Sequence, residues 1–327
     1  MHQNAYVNVY RGQQIESRHQ IHAVVVQSNG TVIESFGNPQ LKTFTRSTIK
    51  PIQALPLFIS NAVNKFHYQD HEIALACASH VGAEIHTQAV TELMQKIDLT
   101  IPQLHCGDQV PSDVKAYRNL ILQNQSETAI HNNCSGKHVG FLATCVANQW
   151  PTANYTEIDH PLQKQIQFLF EQLSNEKITA DQIARDGCHI PTFCVSIIQA
   201  ARAVAAMSDF DQPMINPYGE FSKKIFSAIS RFPEYIGGEQ EYSSLMTKNL
   251  GHHSMIKIGA EGVMAAYLPQ QKLGIFLKVE DGTERATEVA MTAILQKLNL
   301  VDRNCQYPEF KIKNRNGFDV GHYEFVT

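Results

Sequence analysis

The sequence predicts an α/β (α+β) fold in which both ends of the chain build one antiparallel sheet around an inserted helical subdomain. Runs typical of strands lie near both ends of the 327 residues, and apolar residues recur at helical spacing between them. This order is typical of an antiparallel sheet with a helical insertion. We expect the sheet to come from about 1–45 and 255–327, and the mainly helical part from about 46–250. The whole chain, 1–327, is predicted to be a single domain.

The first strands are predicted from β-branched and aromatic runs. Residues 6–10 and 22–27 have this composition. Ser28, Asn29 and Gly30 follow and favour a tight hairpin turn, which leads into a further strand over 31–36. The beginning of the chain is therefore predicted to be antiparallel sheet.

The middle of the chain has a helical pattern. Residues 50–59 match it but contain two prolines, of which Pro51 is tolerable in a first turn and Pro56 should bend or cut the helix. Further helices are predicted from the apolar positions Val90, Leu93, Met94 and Ile97, from Leu162, Ile166, Leu169, Phe170 and Leu173, and over 195–207.

The last third returns to strand. Residues 262–268 and 273–279 are strand-like, and Asp281 and Gly282 form a turn. An amphipathic helix is predicted over about 286–298. The tail from Asn304 is polar and irregular, with one more strand at its end.

Composition limits the partners and the compartment. The formal net charge is −4 and no basic patch is visible, so we expect no nucleic-acid partner. The apolar runs are too short to span a bilayer and the N-terminus lacks a signal-peptide pattern, so we expect no membrane association. Seven cysteines without a disulfide-framework spacing favour a reducing cytoplasm. A homodimer is a candidate assembly that the sequence does not decide.

A serine and a lysine stand three residues apart at the start of the helical part. On a helix this spacing puts Ser47 and Lys50 on one face. A desolvated, neutral lysine amine can take the proton of a serine hydroxyl and make it a nucleophile. The alternative is structural: a capping serine beside a solvated lysine.

Four other segments are rich in polar residues and glycine: 77–82, 131–138, 186–191 and 257–262. They are compatible with two sites. One is a Ser-Lys acyl-transfer enzyme, in which glycine-rich turns supply backbone N–H groups to an oxyanion and Lys257 is a second amine. The other is a metal site built from Cys134, Cys188 and a histidine. The cysteines lack a C-x-x-C spacing, so buried inert thiols are the alternative.

Taken together, these segments resemble the asparaginase II family, the thermolabile type of L-asparaginase that is distinct from the threonine-dependent bacterial asparaginases. The matching motifs are RSTIKPIQALPL at 46–57, CASH at 77–80, HCG at 105–107, HNNCSGKH at 131–138, DGC at 186–188 and KIGAEG at 257–262. They are ordered and spread over roughly residues 5 to 300. The resemblance implies a serine β-lactamase/glutaminase-like fold and hydrolysis of L-asparagine to L-aspartate and ammonia.

The resemblance also implies roles for individual residues. It makes Ser47 with Lys50 one Ser-Lys pair and Ser79 with Lys257 a second. It makes Cys134, Lys137 and Cys188 ligands of a zinc ion that helps to hold the substrate. Our candidate substrate-binding residues within the matching segments are Arg46, His80, Asn132 and Asp186.

One departure from the family pattern bears on specificity. Val81 follows His80 where a small polar residue is expected. Because family resemblance fixes reaction class better than substrate, glutamine or a related amide is an alternative substrate. A β-lactamase, a peptidase or a non-catalytic metal- or ligand-binding module of the same fold are alternative functions.

Overall fold

Both ends of the chain meet in one antiparallel sheet. The computed structural model describes residues 3–302, 305 and 310–327. The strands are Ala5–Arg11 (β1), Gln14–Gln27 (β2), Val32–Phe36 (β3), Lys42–Phe44 (β4), Ile183–Arg185 (β5), Pro191–Ser196 (β6), Met255–Gly259 (β7), Val263–Leu268 (β8), Leu273–Val279 (β9), Lys311–Lys313 (β10) and Asp319–Val326 (β11). The large sheet has the order β10-β11-β1-β2-β9-β8-β7, with β3 also paired to β2.

β2 is the central strand of this sheet and pairs along both edges. On one edge it pairs first with β1 and then, from Ala23 onward, with β3. On the other edge it pairs with β9, where Val24 faces Phe276. Since β1 also pairs with β11, strands from the two ends of the chain are neighbours.

The helices lie mainly between the two halves of the sheet in sequence. They are Lys50–Gln53 (α1), Leu55–Ile59 (α2), Ala62–Lys65 (α3), Asp70–Ala76 (α4), Glu84–Lys96 (α5), Val114–Leu122 (α6), Ser135–Asn148 (α7), Pro161–Ser174 (α8), Ile197–Met207 (α9), Gly219–Arg231 (α10), Tyr242–Leu250 (α11) and Thr287–Lys297 (α12). Short 3₁₀ turns include Arg46–Ile49 and Glu284–Ala286. No described helix has the length and apolar character needed to cross a bilayer.

The large sheet separates two hydrophobic cores. Alternate residues of a strand point to opposite faces, so Val24 packs into the core with the helical body and Val25 into the core beneath α11 and α12. On the helical side α9 lies directly on β9. A Cβ on Gly274 would lie 2.2 Å from the backbone nitrogen of Ala205, so this contact requires glycine.

The predicted fold class, helices combined with an antiparallel sheet from both chain ends, is confirmed. Within it, the helix predicted over 195–207 begins only at Ile197, because residues up to Ser196 belong to β6. The helix predicted over 50–59 is cut at Ala54, two residues before Pro56. The middle also contains an unpredicted small sheet of order β4-β6-β5. The single-domain organisation stays a prediction.

The tail contains two strands where one was predicted. β10 and β11 pair with each other, and β11 also pairs with β1. Asn304, where the irregular tail was predicted to begin, lies outside the described residues. The strand predicted at the end of the tail is the one that joins it to the large sheet.

Candidate active site

A pocket of about 350 Å³ lies where the end of β7 meets the helical body. This volume is near the lower end of the roughly 300–1,000 Å³ usual for small-molecule sites. Its lining residues are Arg46, Ser47, Ser79, Gln109, Asn132, Asn133, Cys134, Asp186, Gly187, Cys188, Ile258, Gly259, Ala260 and Glu284. Segments that are far apart in the sequence therefore share one small cavity. A larger cleft of about 490 Å³ beside α6 includes neither Ser47 nor Ser79 in its lining.

Two buried lysines share one serine hydroxyl at the floor of the pocket. The Nζ of Lys257 donates to Ser79 Oγ over 2.6 Å, and the Nζ of Lys50 donates to the same oxygen over 2.9 Å. Lys50 also donates to the carbonyl oxygen of Ala78, and Lys257 donates to that of Ile258. These bonds form a chain from Lys50 through Ser79 to Lys257.

Burial makes both amines weak bases. Each lysine side chain has no solvent exposure (0%). Burial lowers the pKa of Lys257 well below the usual lysine range, and the neighbouring Lys50 lowers it further. Burial also lowers the pKa of Lys50, although the sulfur of Cys134 opposes the shift. A lysine with a lowered pKa can be neutral and accept a proton from a serine hydroxyl.

Ser47 lies in the wall of the same pocket, in the 3₁₀ turn that precedes α1. Its side chain is half-buried. The hydrogen bonds of Lys50 go to Ser79, Ala78 and Cys134; none of them goes to Ser47, although the two residues are close in sequence. The structure thus gives Lys50 a serine partner that the spacing alone did not indicate.

The start of α7 brings a sulfur and amine cluster against the serines. A Cβ on Gly136 would lie 2.5 Å from the carbonyl oxygen of Leu75, so α7 can approach the end of α4 this closely only with glycine. Cys134, just before α7, accepts a hydrogen bond from Lys50 Nζ at 3.2 Å. Lys137 donates from its Nζ to Cys188 Sγ over 3.0 Å.

The pKa values of the two cysteines in this cluster shift in opposite directions. Hydrogen bonding from Cys188 lowers the pKa of Cys134 well below the usual thiol range, and the charge of Lys137 adds to the effect. The same hydrogen bond, with burial, raises the pKa of Cys188. Burial disfavours the charged form of Lys137, but the two neighbouring sulfurs outweigh burial and raise the pKa of the Lys137 amine. These shifts favour the thiolate form of Cys134, the thiol form of Cys188 and the ammonium form of Lys137.

The cluster fits a soft divalent cation such as zinc. Two sulfurs and an amine converge, and sulfur and nitrogen are the donors that zinc prefers. Among the described residues, no group of three His, Cys, Asp or Glu side chains suited to a metal is found, so the set depends on Lys137. A bound cation would have to displace the proton of that amine, and a divalent cation favours this by lowering its pKa.

Arg46 and Asp186 form an ion pair in the pocket. The guanidinium donates from Nε to Asp186 Oδ1 over 2.9 Å, and the backbone N–H of Gly187 donates to the same oxygen over 2.7 Å. Burial opposes the charge of Asp186, but Lys137 and Arg46 outweigh it and lower the pKa of this carboxyl. Arg46 has a φ of 49°, a left-handed conformation that costs free energy in a non-glycine residue.

The other two candidate substrate-binding residues have structural partners. Asn132 lines the pocket, but it donates to the carbonyl oxygens of Cys106 and Gly107 and accepts from the N–H of Cys134. His80 does not line the pocket. The His80 ring is buried behind the pocket, with its Nε2 2.9 Å from Ser135 Oγ. A substrate-binding role for either residue stays a prediction.

Two pocket residues were not identified from the sequence. Gln109 uses its side-chain oxygen to accept from the N–H of Asn133 over 3.2 Å. Glu284 lies in the 3₁₀ turn before α12. Neither belongs to a motif of the resemblance, and only the polar turn after Asp281 could have drawn attention to this region.

The family assignment follows from a direct comparison of sequences. The model of a family described as L-asparaginase II matches residues 7–325. The chain belongs to the L-asparaginase II family. Members of this family are amidohydrolases, and the match covers every site residue named above. No curated protein matches the chain.

Solved structures similar to this L-asparaginase II family member share little sequence with it. A crystal structure of Mglu matches with a TM-score of 0.46 at 10% identity, covering 87% of this chain and 62% of Mglu. A beta-lactamase from Mycobacterium bovis matches with a TM-score of 0.44 at 10% identity, covering 86% of this chain and 95% of that protein. This chain thus spans less than two thirds of Mglu.

Proposed function

We propose that this protein hydrolyses the side-chain amide of L-asparagine to L-aspartate and ammonia through a Ser-Lys acyl-enzyme mechanism. The chief support is the buried chain Lys50–Ser79–Lys257, because two desolvated amines on one hydroxyl suit serine activation and proton transfer. Membership of the L-asparaginase II family supports the substrate class. The small, polar pocket is also compatible with an amino-acid amide.

In the proposed reaction, the hydroxyl oxygen of Ser47 attacks the amide carbon and its proton passes to neutral Lys50. Backbone N–H groups of the pocket stabilise the oxyanion of the tetrahedral intermediate. The C–N bond then breaks, and the nitrogen takes a proton from the lysine and leaves as ammonia. Water hydrolyses the resulting ester to L-aspartate and restores Ser47. Ser79 and Lys257 extend the proton path from Lys50.

A second assignment exchanges the two serines. Here Ser79 attacks and Lys257 is the base, an assignment favoured by the 2.6 Å bond between them. Ser47 is the primary assignment because its side chain lies in the pocket wall and is not already held by two amines. Hydrogen bonds of catalytic groups often tighten only when substrate binds, so the present bonds of Lys50 are compatible with either assignment.

The remaining site residues are proposed to hold the substrate. Arg46 binds the α-carboxylate, and Asp186 and Asn132 orient Arg46 and the pocket wall. His80 contributes to substrate binding indirectly, through the contact of its Nε2 with the hydroxyl of Ser135. Cys134, Lys137 and Cys188 would hold zinc, which would supply a fixed positive charge beside the bound substrate.

The proposal is tested by ammonia release from L-asparagine, L-glutamine and small amides, together with hydrolysis of a chromogenic lactam. We expect release to be fastest from L-asparagine. Lactam hydrolysis without ammonia release would favour the β-lactamase alternative, and bound zinc without turnover of any of these compounds would favour a binding module. Intact-mass analysis of enzyme quenched during turnover identifies the acylated serine. We expect Ser47→Ala to abolish the adduct, whereas an adduct lost only in Ser79→Ala would establish the second assignment.

Zinc binding is tested by metal analysis of purified protein. We expect about one zinc per chain, and Cys134→Ser or Cys188→Ser to lower the content severalfold, because each removes a sulfur donor. The matched control is Cys194→Ser, a cysteine of β6 that does not line the pocket. Equal zinc content in all four proteins would refute the assigned ligands.

A reducing compartment such as the cytoplasm is proposed as the working location, supported by seven cysteines without the spacing of a disulfide framework. A homodimer is the proposed assembly. Sedimentation of the purified protein tests it, and a monomer at micromolar concentration would rule out a stable dimer.

A further inference from the structure

We propose that Glu284 binds the α-ammonium group of the substrate and makes the pocket selective for amides that carry a free amino group. The inference rests on the proposed function, since it assigns a further part of the same substrate. Glu284 belongs to none of the motifs that relate the chain to its family, and it lines the pocket together with both candidate nucleophiles.

The charges of the pocket wall leave this carboxylate uncompensated. The charged residues in the lining are Arg46, Asp186 and Glu284. Arg46 and Asp186 neutralise each other through the 2.9 Å bond, whereas among the described residues no ion pair is found for Glu284. A carboxylate at the wall of a small pocket attracts a cationic group of a ligand.

Arg46 provides the complementary half of an amino-acid site. Only its Nε bonds to Asp186, and the two terminal nitrogens have no partner among the described residues. A planar guanidinium with free terminal N–H groups suits a carboxylate. The unused terminal N–H donors of this guanidinium and the carboxylate of Glu284 therefore match the two charged groups of an α-amino acid.

The buried His19 helps to fix the segment that carries Glu284 to the sheet. His19 of β2 lies 2.6 Å from Asp281 through its Nδ1, and its Nε2 accepts from Arg285 Nε over 3.1 Å. The residues on both sides of Glu284 are thus tied to one ring. Thr287 also donates from its hydroxyl to the carbonyl oxygen of Glu284 over 2.6 Å. A turn held in this way fixes, before the ligand binds, the backbone from which the exposed carboxylate of Glu284 projects, and this favours affinity.

The proposed role predicts a loss that depends on the substrate. The probes are L-asparagine and succinamic acid, the same amide without the α-amino group. Glu284→Gln should lower kcat/KM for L-asparagine about 10- to 100-fold, mainly through KM, because it removes a charge-assisted contact. The kcat/KM for succinamic acid should stay within about twofold, and Glu284→Asp should recover part of the loss.

The matched control is Glu280→Gln, which removes the same charge from the same connection between β9 and α12, at a side chain that bonds to His22 outside the pocket. The assignment would be overturned if Glu280→Gln lowered kcat/KM for L-asparagine as much as Glu284→Gln does. It would also be overturned if Glu284→Gln lowered kcat/KM equally for the two substrates. Unchanged kinetics of Glu284→Gln would overturn it as well.

If the unmodified protein releases ammonia from neither amide, the proposed function fails while this inference is still tested. Calorimetry then compares the binding of L-aspartate and succinate. Preference for L-aspartate that disappears in Glu284→Gln supports the ammonium site, and its persistence refutes it.

Discussion

At the scale of single residues, the pocket depends on two amines that share one hydroxyl. Two ammonium groups cannot both be stable so close together without water or counter-charges. Lys50 has Cys134 beside it, whereas the hydrogen-bond partners of Lys257 in the described part of the chain are neutral oxygens. Lys257 is therefore the amine of the pair better suited to be neutral, and it can receive through Ser79 the proton that Lys50 takes from Ser47.

Replacement of Lys257 tests this interpretation. Lys257→Arg keeps a long cationic side chain but cannot lose its proton near neutral pH, so kcat/KM should fall about 10²- to 10⁴-fold. In the unmodified enzyme kcat/KM should rise with pH through the lowered pKa of Lys257, because the neutral amine is the active form. The rate is measured as ammonia release between pH 5 and 9.

The control for that variant is Lys115→Arg, at an exposed position of α6. It should leave kcat/KM and its pH profile unchanged. Near-normal turnover by Lys257→Arg would show that this amine is not a base in the reaction.

The residue types of the site could be identified from the sequence, but their pairing could not. Short spacing placed Ser47 beside Lys50. The partner of Lys50 in the structure is Ser79, which follows α4 and also bonds to Lys257 of β7. No local pattern encodes contacts between segments so far apart in the sequence. Glu284 was missed for the same reason, since it reaches the pocket only through the packing of the turn before α12.

At the scale of secondary-structure elements, the contact between α9 and β9 joins the helical body to the sheet. Gly274→Ala should destabilise the protein by about 1–3 kcal/mol or more, because the new methyl group would overlap the backbone of Ala205. The free energy of unfolding, measured by urea denaturation, checks this.

Gly140→Ala in α7 is the matched control. Its Cβ would meet Ala76 Cβ at 3.5 Å, an ordinary contact, so it should be neutral or stabilise by up to about 1 kcal/mol through helix propensity. Equal stability of the Gly274→Ala variant and the unmodified protein would mean that α9 can shift away from β9 at little cost.

Elements with a clear period or strand-like composition were predicted well, whereas β6 was not. α5 and α8 have apolar residues at helical spacing, and their existence follows from that pattern. Part of β6 was predicted to be helix, because the apolar run continues without a break from Val195 into the alanine-rich residues after it. Its strand state is fixed by pairing with β4, about 150 positions earlier in the chain.

At the scale of the whole molecule, the pH dependence of stability has an identifiable contributor in Glu288. Burial, with the nearby charges of Glu241 and Glu284, raises the pKa of this carboxyl to about 7 from an ordinary 4.5. Between these values the folded protein binds more protons than the unfolded chain, so stability contributed by this group falls as pH rises from about 4.5 to 7.

Glu288→Gln should therefore stabilise the fold at pH 8, on the order of 1–3 kcal/mol after allowance for partial solvent exposure, and by almost nothing at pH 4.5. Urea denaturation at both pH values measures the difference. Glu220→Gln, at an exposed glutamate in the first turn of α10, is the control and should give no gain at pH 8. A gain for Glu288→Gln that is the same at both pH values would exclude titration as its cause.

The central position of β2 has a consequence for how the protein is made. Its apolar residues 23–26 leave the ribosome early, but the β9 strand that covers one edge of β2 spans Leu273–Val279. At a synthesis rate of about 5–20 residues per second, that edge of β2 stays unpaired for on the order of 10–50 s before β9 is made. During translation the nascent chain therefore carries an exposed strand edge of the kind that chaperones bind and that promotes aggregation.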